Sequence, residues 1–144
     1  MVNQLWVSGM KCLDLSFAKV HILRDDIAEV IVNEGVEINK EQVTEYHQAL
    51  RTNLRSPFSL LINKKFSYTY DFYAQRSIAD LQEINAIAVV AYNQLSRMST
   101  ESLALIPRRV EWNMTIFASR EDALDWLQFE QRQIGSPHSD LSIH

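Results

Sequence analysis

Apolar and polar positions alternate from Cys12 to Leu23, with Leu13, Leu15 and Phe17 on one face and then Val20 and Ile22. The phase slips by one residue near Ala18-Lys19, which predicts either a β-bulge or two separate strands. Arg24-Asp25-Asp26 parts this run from Ile27–Asn33 (IAEVIVN), so the two are expected to pair as an antiparallel hairpin. Asn39 with Gln42 three residues on has the form of a capping box. Val43, Tyr46, His47, Leu50 and Leu54 then fall at helical spacing, predicting an amphipathic helix that stops before Pro57.

Phe58–Asn63 (FSLLIN) has the length of a strand. Asp71 is placed to cap a second helix with Ala74, Ile78 and Leu81 inward. Ala86–Tyr92 (AIAVVAY) is the longest apolar run and reads as a central strand buried on both faces. A third helix is expected from about Leu95 to Ile106, ending at Pro107. Val110, Trp112, Met114 and Ile116 alternate with polar partners, as in a half-buried strand nearer the sheet edge. Ser119 to Asp122 resembles another capping box, opening a helix with Leu124 and Leu127 inward and Ala123 and Trp126 flanking them. Residues 1–11 carry no clear period, and 133–144 read as a flexible tail. The expected order is β-β-α-β-α-β-α-β-α, an α/β domain over residues 1–132 with a mixed sheet of about five strands and about four helices.

Composition narrows the function classes. The 144 residues carry a formal charge of −4, 47% hydrophobic and 22% charged residues, within the globular range. A mild acidic balance argues against nucleic acid, whose phosphates demand clustered Lys and Arg. The densest basic spots, Lys64-Lys65 and Arg108-Arg109, read as solvated surface. One cysteine, Cys12, permits no intrachain disulfide, and neither a signal peptide nor a long apolar run is present, so a cytoplasmic protein without a transmembrane segment is expected.

Familiar catalytic patterns are missing. Three glycines, Gly9, Gly35 and Gly135, do not make a dinucleotide loop or a P-loop. No G-x-S-x-G elbow occurs. His21, His47, His138 and His144 lack metal-ligand spacing, so neither metal nor cofactor is expected. His47 reads as a partly buried structural histidine, and Cys12 as a small buried strand residue.

In open α/β sheets ligands gather at the carboxyl ends of the strands. Asn33, Asn63, Lys64, Tyr92 and Asn93 all stand at such ends here, and the loop Asn63–Asp71 adds Ser67, Tyr68 and Tyr70. Each asparagine alone is as well explained by turn formation. Tyrosines on a loop are less readily explained that way and suggest a partner surface or a lid.

The element order, together with the strings VNEGV, NKKFSYTYD, AIAVVAYN and EDALDWL, resembles the uncharacterised bacterial SpoIIAA-like proteins of the STAS-type fold, from about Phe17 to Leu127. The resemblance implies a non-enzymatic regulatory module that binds a protein partner. It also implies a possible phosphorylation at Ser67 or Thr69, although the family's D-S-[ST]-G motif is absent. The alternative from the residues is a small-molecule-binding protein using the carboxyl-end rim of Asn33, Asn63, Tyr92 and Asn93. An enzyme drawing acid–base groups from Lys64, Asp71 and Glu34 is the third reading. A homodimer through the last strand is open to either.

Overall fold

The computed structural model describes residues 11–105 and 112–134. Among these residues there are eight strands and four helices, in the order β1 (Lys11–Asp14), β2 (Ala18–Arg24), β3 (Ile27–Val32), β4 (Glu37–Ile38), α1 (Lys40–Asn53), β5 (Phe58–Asn63), β6 (Thr69–Tyr70), α2 (Phe72–Ser77), β7 (Ile84–Val90), α3 (Gln94–Ala104), β8 (Met114–Phe117) and α4 (Arg120–Arg132). Six strands form one mixed sheet in the order β1-β2-β3-β5-β7-β8, and β4 pairs with β6 in a separate parallel ladder. The first three strands are antiparallel, β2 with β3 as the hairpin spacing predicts, and β3, β5, β7 and β8 are parallel.

The phase slip near Ala18 marks two strands rather than a bulge: Leu15 N–H donates to Ala18 O at 2.9 Å in the turn between β1 and β2. A bulge does occur later, between Ile22 and Arg24. The main sheet therefore has six strands rather than about five. The small ladder was not legible because a two-residue strand has no period to read.

Each sheet face has its own core. Val43, Tyr46 and Leu50 of α1 pack with Val20, Val30, Phe58 and Leu60 on one face. Ala123 and Leu127 of α4 pack on Ile27, Leu61, Ala86, Ala88 and Val90 on the other. The innermost positions of α4 are thus Ala123 and Leu127, with Leu124 and Trp126 half-buried, a small rotation from the expected face. Gln131 locks the end of α4: it accepts from Ser59 Oγ, and its Nε2 donates to Asp26 Oδ2 at 2.9 Å and to Pro57 O at 3.2 Å.

The helix starts form as the sequence dictates. Asn39 Oδ1 accepts from Gln42 N at 2.9 Å while Asn39 N donates to Gln42 Oε1 at 3.0 Å, a complete capping box. Asp71 Oδ1 caps α2 through Ala74 N at 2.8 Å. Replacing Asn39 with alanine leaves Gln42 N–H without its acceptor and should cost about 1 kcal/mol in urea unfolding. An unchanged midpoint would mean that packing alone holds α1. The third helix starts at Gln94 and ends at Ala104, and Val110 and Arg108-Arg109 lie outside the described residues, as do His138 and His144.

Candidate functional site

The carboxyl ends of β3, β5 and β7 open into a groove of about 440 Å³, within the roughly 300–1,000 Å³ usual for small-molecule sites. Three segments build it. The turn after β3 supplies Glu34, Gly35 and Val36, the loop after β5 supplies Lys64 and Phe66 to Thr69, and the start of α3 supplies Asn93, Leu95, Ser96 and Ser99.

Gly35 holds φ at +79°, a left-handed conformation that only glycine adopts without strain. That geometry aims its N–H at Ser67 O, 2.7 Å away. Glu34 Oε1 accepts from Ser67 N at 3.0 Å, and Thr69 N–H donates to Val36 O at 2.9 Å. The β5–β6 loop is therefore stitched to the β3–β4 turn. Alternation within it leaves Ser67 and Thr69 exposed and folds Tyr68 and Tyr70 down onto the α1-side core. The tyrosines are thus lids over the interior, and of that loop's aromatics only Phe66 is exposed.

Lys64 is the unexpected residue. Asn63 follows the strand alternation onto the α4 face, and Lys64 N–H still donates to Val90 O at 3.0 Å, so the ladder continues one residue and the lysine turns inward on the α1 face. It is 7% exposed, whereas its neighbour Lys65 is solvated; the expected surface pair is half wrong. Its Nζ lies 4.4 Å from the Tyr68 ring centroid and 5.5 Å from that of Tyr70, cation–π contacts that leave it without a carboxylate or hydrogen-bond partner among the described residues. Burial pushes its pKa down to about 8. Burial likewise raises both tyrosine hydroxyls, which stand 3.4 Å apart and stay neutral at physiological pH. Lys64 and Tyr68 line both the groove and an apolar cavity of about 50 Å³ beneath it, too small for an organic ligand.

The remaining rim residues divide. Asn93 caps α3, its Oδ1 accepting from Ser96 N at 2.8 Å, and borders the groove. Asn33 and Tyr92 are exposed at their strand ends but do not border it, and Tyr70 borders only the cavity. Asp71 is committed to capping α2.

Asn63 belongs to a second constellation on the α4 face. Its Nδ2 donates to Glu29 Oε2 at 2.8 Å, while its Oδ1 is buried without a partner. Arg120 clamps Glu29 with Nη2 at 2.7 Å from Oε1 and Nε at 3.1 Å from Oε2. Burial raises the Glu29 pKa, but Arg120 and Asn63 more than offset it, so the carboxyl titrates below its ordinary value. Cys12 stands opposite His21, and His21 opposite Glu29, across β1, β2 and β3. Cys12 is exposed rather than buried, because β1 is an edge strand and this end of the face carries no helix among the described residues. A charged residue inside the apolar run IAEVIV was the available signal for Glu29. Nothing comparable marked Ser96 and Ser99.

His47 Nε2 lies 2.9 Å from Ile78 O, and burial lowers its pKa, so the ring is neutral and donates. Among the described residues no cluster of three His, Cys, Asp or Glu is placed to hold a metal, and no helix is long and apolar enough to cross a membrane. No family model, no curated protein and no solved structure matches the chain.

Proposed function

We propose that this chain is a small-molecule-binding regulatory module whose ligand occupies the carboxyl-end groove and carries an acidic group drawn to Lys64. The observation that carries this reading is a buried lysine, with no carboxylate partner among the described residues, bordering a groove of ligand size. An uncompensated buried cation costs stability unless a partner arrives, and sites that trade stability for function are commonly binding sites. The SpoIIAA-like, STAS-type resemblance supports the regulatory half of the reading. The protein-partner alternative is weakened because Tyr68 and Tyr70, its main anchors, face inward.

Non-denaturing mass spectrometry of the protein purified directly from expressing cells tests this. An acidic small-molecule adduct is expected on the wild type and absent from Lys64→Met. A bare wild-type protein that also shows no thermal shift with any acidic metabolite would overturn the reading, because a ligand that binds only the folded state must raise the midpoint.

A further inference from the structure

Resting on that reading, we infer that the acidic group is a phosphate monoester, seated between the Lys64 ammonium and the amino end of α3. The two components border the same groove, one from the loop after β5 and the other from the helix after β7. Lys64 is more than nine-tenths buried and has no hydrogen-bond or carboxylate partner among the described residues. In the first turn of α3, Asn93 takes up Ser96 N–H through its side chain and Arg97 N–H through its carbonyl. The N–H groups of Gln94 and Leu95 have no acceptor among the described residues, and at the end of an 11-residue helix they favour an anion.

The number of donors distinguishes the anion. An ammonium, the N–H of Leu95 and the hydroxyls of Ser96 and Ser99, all from residues that border the groove, exceed what the two oxygens of a carboxylate accept comfortably. A phosphate monoester offers three terminal oxygens and more charge. Glu34 also borders the groove, but its Oε1 is held by Ser67 N on the opposite wall. Phe66 and Leu95, exposed at the groove, would take an apolar or aromatic body on the ester.

The full chain would be titrated with phenyl phosphate, benzoate, inorganic phosphate and phenol, following backbone amides by NMR. Phenyl phosphate is expected to bind at least about tenfold more tightly than benzoate and to shift Gln94, Leu95 and Ser96. Inorganic phosphate should shift the same amides more weakly, and phenol none. Gln94→Glu adds a charge that suits a helix start, so the fold is kept, yet it should weaken phenyl phosphate about tenfold. Lys64→Met should abolish binding. Benzoate matching phenyl phosphate, or Gln94→Glu binding like wild type, would overturn the phosphate seat while Lys64-dependent binding still upheld the ligand-binding reading. Absence of binding by all four probes would overturn the phosphate seat, and the ligand-binding reading would fall only if the purified protein were also bare.

Discussion

Lys64→Met is expected to stabilise the fold by about 3 kcal/mol at pH 7. The lysine titrates at about 8 in the folded chain, against roughly 10.4 in an unfolded one, and each unit of that difference corresponds to about 1.4 kcal/mol. The sign follows from proton uptake. Between those two values the unfolded chain binds the proton and the folded chain does not, so raising the pH through this window favours folding. The cost of Lys64 is therefore fully present below pH 8 and disappears as pH approaches 10.4. Methionine keeps the length of the stem and its contact with Tyr68 and Tyr70 while removing the charge. Urea unfolding of both proteins at pH 7 and near pH 10 should show a variant advantage that shrinks with pH. A variant less stable than wild type at pH 7 would mean that the tyrosine faces compensate the ammonium in full and that no ligand is needed to do so.

Arg120→Ala should act in the opposite direction, destabilising by about 3 kcal/mol at neutral pH. It leaves Glu29, 5% exposed, with only Asn63 as partner, and removing one member of a buried pair typically costs about 3–5 kcal/mol; the partly exposed guanidinium places this case near the lower end. In the wild type the depressed Glu29 pKa contributes stability above the ordinary carboxyl range, and that contribution is lost as pH falls through the folded value. In the variant the burial effect stands largely unopposed, so the carboxyl pKa rises and the protein is penalised at pH 7 but recovers on acidification. Thermal midpoints of both proteins from pH 7 down to pH 5 should converge. Coincident curves would show that the clamp adds nothing to the packing of Ala123 and Leu127 and the Gln131 contacts that hold α4.

The sequence was legible where burial follows a regular period. The Val43–Leu50 stripe, the Asn39–Gln42 box, the first hairpin and the parallel strands each carried their own signal, because a face that must be buried repeats at 2 or 3.6 residues. Legibility ended where tertiary placement overrode residue type. Lys64 and Lys65 are chemically identical neighbours, and only continuation of the β5–β7 ladder decides that one is buried and the other solvated. For Tyr68 and Tyr70 the sequence leaves a partner surface and a lid equally open, because the β4–β6 ladder beside them is only two residues long. Cys12 was assigned to the interior by type, but an edge strand exposes it. Of the eight binding residues proposed at the carboxyl ends and the adjoining loop, Lys64, Ser67, Tyr68 and Asn93 border the groove.

The most direct test of the account is the titration of Lys64 itself, read from its Cε and Hε NMR signals in protein labelled on lysine and assigned with Lys64→Met. A midpoint near 8 in the free protein, moving upward when phenyl phosphate is added, is the predicted result, since an anion beside the ammonium favours its charged form. A midpoint at the ordinary lysine value of about 10.4, unmoved by any anion, would show that the ammonium is already solvated or paired and would contradict the claim that the groove is built around it.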